Sequence, residues 1–538
     1  MTRARIAALA VGAWLFAGLA GHCPAVAAET RPAPRAATAT SWPAPRLILV
    51  LVIDQFPADY LARFRDRLGP GGLRKLMDGG ARFTDCAWPY AVTDTAPGHA
   101  SLVTGTTPDR HGIVGNWWYD PALGRMVGAV EDDAFPLVGA AADKPGASPR
   151  AIVSGTLGDS LRLATGGRAR VFALSEKARA AVLLAGASAN GAYFFDHGSG
   201  RMVTSTWYAA TLPDWVAAFD DARPADRWFA AGWSAGGRAV LPPGAAGARP
   251  DKAWYERMVE TPYIDELLLD FARRLVEAEH LGADDDPDLL FVSLSAHDYL
   301  GHAVGPHAAE MGDLTAAVDA AIARFLATLE ARVGRDRLWV AFTSDHGIAP
   351  TLETTARLRI ATRPYAGTRL KEVVTRALAG RYGADDPITF HGEPAKFWFD
   401  RAALARHGTT AAEAGEVAGR AAVADSQGAL LGYIAGDRSD LDAVTLAACR
   451  LSQWRERSPD LLLVRAPYAL NREFEASDHG SPHAYDARVP LVLYGPPFRP
   501  GLYRQHAVPI DIAPTLANVL EIAPPPMATG RVLIEAVR

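Results

Sequence analysis

Several short polar patches in this chain combine residue types that hold metals or phosphate. In Thr93–Ala100 (TDTAPGHA), Thr95 is placed to be a helix N-cap, with Pro97 tolerated in the first turn. A hydroxyl there meets unsatisfied backbone N–H groups and the positive end of the helix dipole, which favours a phosphate or sulfate group. Asp298 and His302 stand four residues apart, so on a helix their carboxylate and imidazole share a face and can converge on one metal. Asp345-His346-Gly347 follows directly on an apolar run, and adjacent residues at a strand-to-loop turn can both ligate. Asp478-His479-Gly480 precedes another apolar run, and Asp54 ends the first one. Each pattern alone is common; together they argue against coincidence. Lys177 and Arg179 follow a further apolar run and, if the chain stays extended, point to the same side. Two such cations suit a phosphate dianion, because a guanidinium chelates two oxygens and an ammonium adds a point charge.

The apolar runs Leu47–Ile53, Val171–Leu174, Leu289–Leu294, Leu338–Thr343 and Val489–Tyr494 are bounded by polar or turn residues. Such runs suit strands buried on both faces. With helical stretches such as Asp313–Val333 between them, they predict a doubly wound α/β fold: a mostly parallel central sheet with helices on both faces. Ligands in that architecture sit beyond the carboxyl ends of the strands. Two stretches break the strand–helix rhythm. Residues 180–285, rich in Gly, Trp and Tyr, are expected to form an irregular cap insertion. Residues 352–460 are expected to form a smaller α+β insertion. VPIDIAPTLANVL, residues 508–520, reads as a closing helix.

The 538 residues are 49% hydrophobic and 21% charged, a globular composition that excludes disordered and collagen-like chains. Net charge is −5 with no basic block, so nucleic-acid binding is not expected. Three cysteines (Cys23, Cys86, Cys449) exclude a disulfide scaffold. Arg3 and Arg5, the apolar run Ile6–Ala20 and the small residues Ala25 to Ala28 have the order of a secretory signal peptide, residues 1–28. The run is short for a membrane span, so a periplasmic or secreted mature chain without a stable membrane span is expected. His22 before Cys23 argues against lipidation. Residues 29–45 are expected to form a Pro/Ala-rich leader and 46–538 the folded domain. Pairing of Cys86 with Cys449 is left open.

The order Asp54, Thr95, Asp298/His302, Asp345/His346, His479 resembles the alkaline phosphatase superfamily. Within it the chain is similar to the bacterial periplasmic alkaline phosphatases with a threonine nucleophile, the PafA-like branch. TAPGHASLVTGTTPDRHGIVGNWWYD, containing Asn116, looks like that branch's nucleophile segment. The resemblance implies two zinc ions: one held by Asp298, His302 and His479, the other by Asp54, Asp345, His346 and the Thr95 oxygen. It implies Thr95 as nucleophile, a phosphothreonine intermediate, and Asn116, Lys177 and Arg179 as both catalytic and substrate-binding residues. The activity implied is that of an alkaline phosphatase acting on small-molecule phosphate monoesters. The alternative is a phosphodiesterase or nucleotide pyrophosphatase of the same superfamily, which lacks the Lys-x-Arg pair. An inactive metal- or phosphate-binding homologue is disfavoured because no ligand or nucleophile position is replaced. Thr93 is the competing hydroxyl, and His99, His111, His307 and His483 fall outside the ligand register.

Overall fold

Every residue of strand Leu47–Ile53 is apolar and buried, which requires cover on both faces. Side chains alternate across a strand, and here they divide two cores. Leu47, Leu49, Leu51 and Ile53 enter one core; Ile48, Val50 and Val52 enter the other. Helices Pro262–Ala278 and Ala309–Val333 cover the first face, and Thr95–Thr104, Ala178–Ala185 and Ile512–Val519 the second. The computed structural model describes residues 42–538 apart from 142, 394, 472, 474 and 475. The expected signal peptide and residues 29–41 of the leader lie outside the described residues.

The main sheet has ten strands in the order Gly501–Tyr503, Ala81–Phe83, Leu491–Tyr494, Leu338–Thr343, Leu47–Ile53, Asp288–Leu294, Val171–Ser175, Gly191–Asp196, Arg201–Ser205, Leu137–Val138. The central strands from Leu338–Thr343 to Gly191–Asp196 run parallel. Antiparallel pairs flank them. This is the doubly wound α/β fold, with two departures from the sequence reading. Gly191–Asp196 and Arg201–Ser205, within the stretch expected to be a cap, are strands of the main sheet. Leu491–Tyr494, expected among the parallel strands, runs antiparallel to Leu338–Thr343, so its N-terminal end meets the carboxyl edge of the parallel strands.

A separate five-stranded sheet has the order Phe390–Glu393, Lys396–Phe399, Leu461–Arg465, Leu430–Ala435, Arg438–Ser439, with antiparallel pairs throughout. Helices Gly367–Tyr382 and Ala411–Asp425 bury its Phe397, Phe399, Tyr433, Leu461 and Leu463. Among the described residues no helix is long and apolar enough to cross a membrane. Cys86 and Cys449 are both buried free thiols.

Candidate active site

The site lies at the carboxyl edge of the parallel strands. Asp54 follows Ile53 and is fully buried. Its neighbour Gln55 has a left-handed φ of 59°, an uncommon conformation for a non-glycine residue. The bend lets Gln55 join two acids: its backbone N donates to Asp345 Oδ1 at 3.1 Å and its Nε2 to Asp298 Oδ1 at 2.7 Å. Sequence reasoning passed over Gln55. Its only signal is a polar residue where a buried strand ends. Helix Ala296–Val304 presents Asp298 and His302 on one face, and its start is held by Asp265, which accepts from Ser295 N and Ala296 N. His302 Nε2 lies 3.4 Å from Asp298 Oδ1.

Three histidines share one hydrogen-bond logic. The Nδ1 of His302 meets Ser477 O at 3.0 Å, that of His346 meets Gly347 O at 3.0 Å, and that of His479 meets Thr93 O at 2.9 Å. A carbonyl only accepts, so each Nδ1 carries a proton, and a neutral ring then keeps its lone pair on Nε2. His346 Nε2 is 3.5 Å from both Asp54 Oδ1 and Asp345 Oδ2. These three atoms are buried and have no hydrogen-bond partner among the described residues. Three converging electron-pair donors without a donor hydrogen fit a cation. Donor atoms of Asp54, Asp345 and His346 lie within 4.8 Å of one another, as do those of Asp298, His346 and His479. His346 therefore belongs to both groups, and His302 adjoins the second through Asp298.

Burial and the Asp345 carboxylate push Asp54 up to about 7 despite Lys177 beside it. Burial also acts to raise Asp298 and Asp345, but the neighbouring groups prevail. Lys177, His302 and His479 hold Asp298 well below the usual carboxylate range, and His346 and His99 lower Asp345. Burial, then His346 and His302, bring His479 down to about 3, so it is neutral at physiological pH.

Thr95 is the first residue of helix Thr95–Thr104 and almost wholly buried; the N-cap is Asp94, not Thr95 as expected. The Thr95 hydroxyl still sits at the helix N-terminus. The helix packs tightly on the site, because a Cβ at Gly98 would lie 2.6 Å from Asp345 Cβ. Asn116 Oδ1 accepts from Ala96 N at 2.8 Å, leaving its amide NH₂ as donor. Thr93 Oγ1 donates to Ser481 O, so the competing hydroxyl is already engaged. His99 bridges Thr95 O and Ser293 Oγ, His111 meets Ser101, and His483 meets Arg465 O. His307 contacts Arg63.

Lys177 and Arg179 do not extend side by side. Lys177 is the N-cap of helix Ala178–Ala185, so the chain is helical, not extended, from Ala178 onward. Lys177 is buried and its Nζ donates to Asp54 Oδ2 at 2.6 Å and Asp298 Oδ2 at 2.5 Å, bridging both groups of potential metal ligands. Both cations nevertheless line one cavity of about 350 Å³ with Asn116, Glu176, His197 and Tyr299. Arg179 Nε is buried without a partner among the described residues. A second cavity, about 420 Å³, is also lined by Asn116 and carries Asp94, Lys396, Arg465 and His479.

A family model described as type I phosphodiesterase / nucleotide pyrophosphatase matches residues 48–483. The chain is 28% identical to alkaline phosphatase PafA of Elizabethkingia meningoseptica, over 92% of this chain and 95% of that protein. It is 35% identical to alkaline phosphatase PhoV of Synechococcus elongatus, over 56% of this chain and 59% of that one. The crystal structure of wild-type alkaline phosphatase PafA matches with a TM-score of 0.85 at 27% identity, covering 92% of this chain and 99% of that one. A PafA variant substituted at one threonine, one asparagine, one lysine and one arginine matches with a TM-score of 0.83, at the same identity and coverage. The chain thus belongs to the type I phosphodiesterase / nucleotide pyrophosphatase family and is a phosphoester hydrolase built on the alkaline phosphatase fold.

Proposed function

We propose that this protein is an exported, zinc-dependent phosphomonoesterase that uses Thr95 as its nucleophile. The observation that carries the reading is the grouping of Asn116, Lys177 and Arg179 around one cavity, with Asn116 tied to the start of the Thr95 helix. The threonine–asparagine interval of 21 residues and the lysine–arginine interval of two in the substituted PafA variant recur here as Thr95/Asn116 and Lys177/Arg179. A guanidinium, an ammonium and an amide NH₂ match the non-bridging oxygens of a phosphate dianion. A diester presents one fewer charged oxygen and needs room for a second ester group.

Asp54, Asp345, His346 and the Thr95 oxygen would hold one zinc ion, and Asp298, His302 and His479 the other; mixed imidazole and carboxylate ligation suits zinc. Bound there, two such ions supply positive charge to the attacking and leaving oxygens of an in-line displacement. The residues of this chain do the rest. The Thr95 hydroxyl loses its proton to solvent and its oxygen bonds to phosphorus as the ester P–O bond breaks, and the departing alkoxide takes up a proton from water to leave as the alcohol. Asn116, Lys177 and Arg179 hold the transferring group through both steps. Water then cleaves the phosphothreonine and releases inorganic phosphate. The positive start, apolar run Ile6–Ala20 and small residues before 29 support export to the periplasm or beyond. Residues 46–538 are read as the catalytic domain, with 352–460 as an accessory insertion.

The test compares an aryl phosphate monoester with the matching diester, with and without chelation and zinc add-back. Zinc-dependent preference for the monoester is expected. Preference for the diester would transfer the activity to the phosphodiesterase reading.

A further inference from the structure

Two carboxylates stand immediately before the residues that carry the proposed reaction: Asp94 before Thr95 and Asp478 before His479. Both are met by cations from neighbouring antiparallel strands of the second sheet, Lys396–Phe399 and Leu461–Arg465. Arg465 Nη1 donates to Asp478 Oδ2 at 2.7 Å, and its other terminal nitrogen donates to the His479 carbonyl. Lys396 Nζ donates to Asp94 Oδ2 at 2.9 Å, with side chains only 15% and 12% exposed, and Glu393 Oε2 lies 3.7 Å from the same ammonium. Asp94 Oδ1 is 3.8 Å from His479 Nδ1. The chain packs onto this carboxylate closely: at Gly480, whose φ is +89°, a Cβ would meet Asp94 Oδ1 at 2.8 Å.

Asp94 is the N-cap residue of the Thr95 helix, yet its side chain makes no capping hydrogen bond. Capping does not account for it. Its carboxylate ties the start of the nucleophile helix to Lys396 on the second sheet, and its charge has an electrostatic cost there. A helix N-terminus attracts a phosphate through its free N–H groups and dipole. An uncompensated carboxylate one residue from the nucleophile opposes that attraction in a poorly solvated site. We propose that Lys396 is a positioning residue for phosphoryl transfer: its half-buried ammonium balances Asp94, so that the second sheet supplies the charge neutrality that lets a phosphate dianion settle against Thr95. This inference rests on the reading of Thr95 as nucleophile.

The decisive experiment is a charge-balance cycle on the zinc-loaded protein: Lys396→Met, Asp94→Asn and the double variant. Inorganic phosphate affinity is read by calorimetry, independently of turnover, alongside kcat and KM for an aryl phosphate. Lys396→Met is expected to weaken phosphate binding about tenfold. Asp94→Asn added to it removes the charge left unbalanced and restores affinity to within about threefold of wild type. A double variant as weak as Lys396→Met would overturn the proposal, since a lysine that only holds the fold, or touches the anion itself, gains nothing from losing Asp94. Wild-type phosphate affinity in Lys396→Met would overturn it too. Should Lys396→Met fail to fold, Lys396→Arg and Asp94→Asn carry the test. The first is expected to bind phosphate as wild type does and the second at least as tightly, and weaker binding by either contradicts the charge balance. Turnover retained in Thr95→Ala would instead sink the nucleophile reading while leaving this phosphate-binding result interpretable.

Discussion

His346 and His479 lie face to face, with ring centroids 3.7 Å apart and planes 17° from parallel. Two imidazolium ions would repel at that range. Each Nδ1 proton is directed at a backbone carbonyl, and in the neutral form of each ring this turns the Nε2 lone pair toward the acids. The stack thus sets tautomer and direction together, and it places His346 between the two groups of donor atoms.

Removing metal is expected to abolish activity and lower thermal stability, with zinc restoring both. Asp54, Asp298 and Asp345 are buried carboxylates that repel one another once the cations leave. A ligand a thousandfold above its Kd stabilises by about 4 kcal/mol. Calorimetry of chelated and zinc-reloaded protein checks this, and an unchanged Tm would contradict the assignment.

Gln55→Leu leaves Asp298 Oδ1 without its 2.7 Å partner and frees one side of the site. Loss of such a supporting bond typically weakens metal affinity about 10- to 100-fold. Zinc titrations should show that loss, with kcat largely recovered at saturating zinc. Unaltered zinc affinity would remove Gln55 from the site.

Thr95→Ala is expected to eliminate turnover and phosphorylated protein in quench experiments while metal content stays near wild type. Thr95→Ser keeps a hydroxyl at the same helix terminus and should retain activity. Wild-type-like turnover in the alanine variant would exclude Thr95 as nucleophile.

Arg179→Ala should reduce kcat/KM for the monoester about 10- to 100-fold, the range for a hydrogen bond to a charged group. Hydrolysis of the diester should fall far less, because a dianion loses more from a missing cation. Equal losses on the two substrates would place Arg179 outside the phosphate site.

Burial raises Asp265 from 3.8 to about 8, against two backbone N–H donors. The folded protein therefore keeps a proton that the unfolded chain releases near pH 4, and between those values the folded state binds more protons. Stability from this group falls as pH rises, by up to about 1.4 kcal/mol per unit. Asp265→Asn should flatten that slope between pH 5 and 8, which denaturant titrations across the range would show. An identical slope in the variant would contradict the shift.

Much of the fold was legible in short windows. Leu47–Ile53 announces a two-face-buried strand by composition alone, and Asp298/His302 share a helical face by period alone. The reversal of Leu491–Tyr494 was not legible, because a buried strand has the same composition in either direction. Nor was the turn at Lys177: the helix starts one residue earlier than an extended Lys-x-Arg pair needs.

Residue types and their order along the chain were enough to pick out the donors, the hydroxyl and the alternation of strands and helices, since side-chain chemistry and periodicity are local properties. Folding alone joined Gln55 to Asp298 across 243 residues and Lys396 to Asp94 across 302, and aimed Lys177 at Asp54. Those partnerships depend on which strands become neighbours and which edge each loop reaches. No local period encodes that choice; packing of the whole chain makes it.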